Sequence, residues 1–400
     1  MPELSQRGKT MPPSPIRKLV PFADQAKEKG RHVYHLNIGQ PDIPTPDTYW
    51  QAVEKHGRKV LEYGPSAGLT SYRKKLTAYY RALGISLDVD DIIVTTGGSE
   101  AIIFAMLAIT DPGDEIIIPE PFYTNYNGFA NEAAAKVVPI TSSIESEFQL
   151  PPIDSFREKI TDKTRAILIC NPNNPTGYVY SREELEALRK IALEYDLFLL
   201  ADEVYREFCY DGLKHTSVLH LEGLEDRAIL LDSISKRYSA CGARIGCLIS
   251  RNKTISTTAL KYGMARLCPP TLEQLGAEAG IDTPPSYFQD VLDEYTERRN
   301  IMVNALNKIP GVLAPKPKGA FYLIARLPVD DADRFAQWLL TDFHIDGETT
   351  MIAPANGFYS TPGYGQDEVR IAYVLNTEDI KKAMHILAEG LKVYPGRKSV

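Results

Sequence analysis

DSISKRYSACGARIG, residues 232–246, lies between two short apolar runs, 228–231 and 247–249, that read as buried strands. Two hydroxyls (Ser233, Ser235), an amine (Lys236) and a guanidinium (Arg244) are set in this loop of mostly small residues. Hydroxyls with an arginine make a phosphate clamp, because the planar guanidinium matches phosphate oxygens in pairs. A lysine beside that clamp, its pKa lowered by a neighbouring cation, is the kind of amine that forms a Schiff base with a carbonyl. A ligand carrying both phosphate and aldehyde would use all four groups. The plain alternative is a solvated basic loop, and the flanking chain has to decide between them.

Outward from this loop, short apolar runs alternate with amphipathic segments from residue 91 onward. Strands are expected at 92–95, 115–118, 137–140, 166–170 and 197–201, and helices at 70–83, 99–109, 123–134 and 181–195. Runs of four or five apolar residues without alternation are buried on both faces, as in a mostly parallel sheet covered by helices. Residues 46–285 should therefore form one large domain of three-layer α/β/α architecture. A long helix at 286–308, strands at 319–325 and 368–374 and helices at 331–340 and 377–391 give an α+β pattern. Residues 15–45 plus 286–400 are assigned to that smaller domain, and the polar, Pro-rich residues 1–14 are expected to be disordered.

In open parallel sheets ligands sit beyond the carboxyl ends of the strands, so the residues just past each strand are informative. TGGSEA (96–101) opens a helix with bare backbone N–H groups that can face a phosphate, although any tight strand-to-helix turn looks alike. PEPFYTNY (119–126) puts Phe122 and Tyr123 at a strand end, where a ring can stack on a planar ligand or pack on the core. NPNNPTG (171–177) carries two Asn-Pro bonds and free amides, too particular a pattern for a generic loop. ADEVY (201–205) ends an apolar strand on Asp202, a carboxylate that needs a partner to stay ionised. An N-cap or salt bridge would serve, but a protonated pyridine nitrogen, the electron-sink end of pyridoxal phosphate, also accounts for the lysine and the clamp.

The whole chain of 400 residues has a formal net charge of -7, with 44% hydrophobic and 24% charged residues, the composition of a globular protein. Net acidity argues against a nucleic-acid partner. The five cysteines are scattered without a CxxC pair, which fits reduced thiols in the cytoplasm better than disulfides or a metal site. The N-terminus lacks the apolar core of a signal peptide, and the apolar run 101–109 is far short of the roughly 18 residues that span a bilayer, so no membrane association is expected.

SISKRYSACGARIG (233–246), NPNNPTG, ADEVY and the distal EVRIAYVL (368–375), in this order, resemble the class I/II aminotransferases of pyridoxal-phosphate fold type I, the aspartate aminotransferase superfamily. The likeness runs from about residue 37 to residue 388. It implies pyridoxal 5'-phosphate as cofactor, with Lys236 as Schiff-base former and proton shuttle. Ser233, Ser235, Arg244 and the backbone at Gly98 and Ser99 would hold the phosphate; Tyr123 would stack on the ring, and Asp202 would pair with its nitrogen. Asn174 and Tyr205 would bind the phenolic oxygen, and Arg370, with Gly39 and Asn174, the substrate carboxylate. A tyrosine matching Tyr63 reaches the phosphate from a second subunit in such enzymes, which implies a homodimer.

The implied reaction moves an α-amino group from an amino acid to a 2-oxo acid by a ping-pong route, with 2-oxoglutarate as the expected acceptor and aspartate or a broad range of donors. A carbon–sulfur β-lyase shares every one of these motifs, and a non-catalytic sensor module is a remote alternative. For a second substrate carboxylate the candidate cations are Arg266, Arg17 and Lys18, each also readable as an ordinary surface charge.

Overall fold

The computed structural model describes residues 2–399. The apolar runs form one seven-stranded sheet in the order Ile92–Thr95, Gly246–Ile249, Ala228–Ser233, Phe198–Asp202, Thr164–Cys170, Glu115–Glu120, Lys136–Thr141. All are parallel except Gly246–Ile249, which is antiparallel to both of its neighbours. Along Thr164–Cys170, Leu168 and Cys170 enter one core while Ile167 and Ile169 enter the other, which is why these strands lack an exposed polar face.

Where local signals agree, the helices match the expected pattern. Arg182–Glu194 starts at a capping box in which the Ser181 Oγ accepts from the Glu184 N–H at 3.2 Å and Glu184 accepts from the Ser181 N–H at 2.7 Å. Its Leu185, Leu188, Ile191 and Ala192 form the buried stripe. Three further helices, Ile153–Lys159, Lys253–Arg266 and Thr271–Gly280, have no clear signal in the sequence. Lys253–Arg266 is rich in threonine, which is weak in helices; tertiary packing and Asn252, whose Oδ1 accepts from the Thr254 N–H at 2.9 Å, hold it instead.

Beyond the main sheet, Tyr322–Arg326, Glu368–Ala372 and Ala353–Pro354 form a three-stranded antiparallel sheet, and His32–His35 pairs in parallel with Glu348–Met351. The N-terminal strand thus ends against the C-terminal third of the chain, and just beyond it the Asn37 and Gly39 carbonyls meet Arg370 and Lys236. Within residues 2–14 the chain forms a short helix, Gln6–Thr10, capped by Ser5, and the Asn131 amide donates to the Thr10 Oγ1 at 2.8 Å. Among the described residues no helix is long and apolar enough to cross a membrane.

Candidate active site

A cavity of about 460 Å³ opens at the carboxyl ends of the parallel strands. Gly39, Gly98, Ser99, Tyr123, Asn174, Asp202, Tyr205, Ser233, Ser235, Lys236, Arg244 and Arg370 all line it. Of the residues that the family resemblance assigns to the cofactor and the α-carboxylate, only Tyr63 stands away from it, 80% exposed.

At one end Ser233 closes its strand and caps the one-turn helix Ile234–Arg237, its Oγ accepting from the Ser235 N–H at 3.1 Å. The Ser233 and Ser235 hydroxyls are 2.8 Å apart, and the Arg244 Nη1 donates to the Ser235 Oγ at 3.4 Å. Arg244 adopts a left-handed φ of 54°, which turns its guanidinium under the glycine pair of TGGSEA. A Cβ on Gly97 would lie 2.2 Å from the Arg244 Nη2, and one on Gly246 would lie 2.5 Å from the Gly97 carbonyl carbon. Only bare backbone fits here, so hydroxyls, guanidinium and helix N-terminus converge on one cradle.

Two buried aspartates near neighbouring strand ends differ in compensation. Asp232 meets the Arg237 Nη2 at 2.7 Å, Arg206 at 3.1 Å and the Tyr80 hydroxyl at 2.7 Å. Burial alone would push its pKa up, but the two guanidinium groups outweigh that and hold it below the usual value. Asp202 has no such cation: its Oδ2 accepts from the Tyr126 hydroxyl at 2.8 Å and its Oδ1 from the Val204 N–H at 3.3 Å. Burial raises its pKa to about 6. A carboxylate short of positive charge at one end and an anion cradle at the other fit a ligand with a protonated ring nitrogen and a phosphate.

Between them the Lys236 Nζ donates to the Gly39 carbonyl at 2.8 Å and lies 3.5 Å from the Cys241 Sγ. Arg370 is buried and, among the described residues, bonds only to neutral oxygens, the Asn174 Oδ1 at 3.2 Å and the Asn37 carbonyl. Its Nε has no partner, and burial pushes its pKa down, so this cation lacks an anion. The Tyr322 ring holds the guanidinium 4.6 Å from its centroid, and the Tyr322 hydroxyl lies 2.9 Å from that of Tyr205.

Tyr322, Tyr126 and Cys241 escaped the sequence reading. Tyr126 could have been found one helical turn after Tyr123; Tyr322 sits in an apolar run that reads as ordinary strand. The three candidate cations separate clearly. Arg266 is outside the cavity, its Nε on Glu100 at 3.2 Å and its Nη2 on the Val94 carbonyl at 3.2 Å. Lys18 is also outside, paired with Asp333 and 3.4 Å from the Asn356 Oδ1. Arg17 lines the cavity.

The family model described as aminotransferase class I and II matches residues 31–387. The chain is 30% identical over 392 residues to an aspartate aminotransferase of Bacillus subtilis, covering 96% of this chain and 97% of that one. It is 30% identical over 396 residues to aromatic-amino-acid aminotransferase 2 of Thermococcus litoralis, covering 97% and 98%. The solved structure of an alanine aminotransferase from Pyrococcus furiosus superposes with a TM-score of 0.89 at 32% identity, covering 98% of this chain and all of that one. The three relatives are named for three different amino donors.

Proposed function

The chain belongs to the class I and II aminotransferases, which use pyridoxal 5'-phosphate, and on that premise we propose that one cavity carries out both halves of a ping-pong amino transfer to 2-oxoglutarate. The observation that carries this reading is the convergence of Lys236, the cation-poor Asp202 and the anion-poor Arg370 on that cavity.

Ser233, Ser235, Arg244 and the backbone at Gly98 and Ser99 would hold the cofactor phosphate, and Tyr123 would cover the ring. Asn174 and Tyr205 would orient the phenolic oxygen, and Asp202 would keep a proton on the ring nitrogen. The bound cofactor supplies an aldehyde for the amino group and a pyridinium that draws electrons from the substrate Cα. Arg370 binds the α-carboxylate as a bidentate fork, steadied by Asn174, with Gly39 closing beside it. The Lys236 Nζ would take the proton from the substrate Cα and hold it within the cavity. Asp202 and Arg370 are buried, where a charge counts for more than in water.

Transfer is tested by adding each common amino acid to the holoenzyme and following the cofactor absorbance. Conversion to the amine form with release of one 2-oxo acid, reversed by 2-oxoglutarate, is the expected result. Pyruvate and ammonia from a sulfur amino acid, without conversion, would identify a β-lyase instead.

The active form in this reading is a homodimer, with Tyr63 completing the partner's phosphate site. Tyr63, Val60, Leu61, Met264 and Leu267 are all more than half exposed, an apolar group that a second copy would cover. Sedimentation should give a dimer, and an active monomer would refute the role of Tyr63.

A further inference from the structure

The reaction proposed above gives no task to Tyr322, although three groups that do have one meet it. Tyr322 is buried and lines the cavity from the start of the strand Tyr322–Arg326 in the three-stranded sheet. Ile324 of that strand is level with Arg370, so Tyr322 stands diagonally across from Arg370 on the same face, within reach of an aromatic ring. The ring centroid is 4.6 Å from the Arg370 guanidinium, and the hydroxyl at the far end of the ring lies 2.9 Å from that of Tyr205. The same hydroxyl faces the Gly39 carbonyl at 3.5 Å, and a Cβ on residue 39 would sit 1.7 Å from the hydroxyl oxygen.

Each tyrosine hydroxyl carries a single hydrogen, which fixes the direction of the contact between them. When Tyr205 donates its own hydrogen to the phenolic oxygen of the cofactor, the 2.9 Å bond can only be donated by Tyr322. Asn174 is oriented in a similar way. Its Oδ1 accepts from the Arg370 Nη1 at 3.2 Å, which leaves the amide NH2 to donate elsewhere. Both donors to the phenolic oxygen are thus set from the three-stranded sheet, Tyr205 by the Tyr322 hydroxyl and Asn174 by the arginine that the Tyr322 ring supports. A hydroxyl that accepts a hydrogen bond is also the stronger donor, because chained hydrogen bonds polarise one another.

Resting on the aminotransferase reading, we propose that Tyr322 is a positioning residue with two separable tasks. Its hydroxyl aims the Tyr205 hydrogen at the phenolic oxygen of the cofactor, and its ring holds the Arg370 guanidinium in the pose that meets a carboxylate. One side chain thereby joins the part of the cavity that tunes the cofactor to the part that seats the substrate.

The two tasks come apart in the Tyr322→Phe and Tyr322→Leu holoenzymes. Phenylalanine keeps the ring and loses the hydroxyl. Tyr205 is then the weaker donor and the anionic phenolic oxygen is less well stabilised, so the pH midpoint of the bound cofactor's absorbance change should rise by about 0.4–1 unit, the effect of one neutral hydrogen bond. Affinity for butyrate, a carboxylate without an amino group, followed by calorimetry, should stay close to that of the unaltered holoenzyme. Leucine loses both features. The midpoint should rise as before and butyrate affinity should fall about 3- to 30-fold, the range of a cation–π contact, with the Phe358 ring still 4.9 Å from the guanidinium. An unmoved midpoint in Tyr322→Phe, or butyrate affinity reduced as much by phenylalanine as by leucine, would overturn the proposal. Should leucine at this buried position prevent folding, the midpoint in Tyr322→Phe still decides the role of the hydroxyl. Neither readout needs turnover, so a holoenzyme that converts no amino acid would count against amino transfer rather than against Tyr322.

Discussion

Asp202→Asn should make the cofactor-free protein more stable above pH 6 while weakening its hold on the cofactor. The Asp202 carboxyl has a pKa of about 6 in the folded chain, raised chiefly by burial, against an ordinary value of 3.8. Unfolded, it is ionised above about pH 4; folded, it keeps its proton to about pH 6. Between those values the folded chain binds more protons, so stability falls as pH rises and the whole penalty is present above pH 6. A gap of about two pH units, at about 1.36 kcal/mol each, makes that penalty ~3 kcal/mol. Asparagine can still accept from the Tyr126 hydroxyl but does not ionise, so this site would add no slope to its profile. Urea unfolding of both cofactor-free proteins, at one protein concentration, should give similar stability near pH 4 and an advantage to the variant at pH 8. With cofactor present the order should reverse, because a charged hydrogen bond of about 1.5–3 kcal/mol to the ring is lost, roughly 10- to 150-fold in affinity. A variant destabilised equally at both pH values, or one that binds cofactor normally, would refute the view of Asp202 as an uncompensated carboxylate facing a cationic ligand.

Arg370→Ala should raise KM about 100-fold for every amino acid with cofactor still bound, since the group it meets is shared by all of them; an unchanged KM in steady-state assays would rule this out. Gly246→Ala should lower both thermal stability and cofactor affinity, because its Cβ would come within 2.7 Å of backbone atoms of Gly97, Gly98 and Asp232. Overpacking of this kind costs about 1–3 kcal/mol. Gly242→Ala, with nothing within 4 Å of its Cβ, is the control and should melt like the unaltered protein.

The parallel sheet was legible because its strands are short, apolar and unalternating, and the lining of the cavity because each motif lies directly after one of them. Lys236, Asp202 and Asn174 are local signals, read from a handful of adjacent residues. Tyr322 was not legible: its role depends on a ring stacked on Arg370, and nothing in its own strand marks it. The antiparallel course of Gly246–Ile249 was equally hidden, since a buried apolar run has no direction in its composition. Arg17 and Lys18 could not be told apart, because their difference lies in Asp333 and Asn356, more than three hundred residues away in sequence. The helix at Gln6–Thr10 is held by the Asn131 side chain, a partner that local composition does not reveal.

The register of the sheet divides the site into two parts with different tolerance to change. Cys170 is level with Asp202, Asp202 with Leu231, and Ser233 with Gly246, on strands about 4.8 Å apart. A slip of one residue on any of these ladders would turn the cavity-lining side chain to the opposite face, so errors there are all or nothing. The turn that bears Arg17 has no ladder and lies at the cavity's edge. A substitution there flips no register, so its effect would come by degrees rather than all at once.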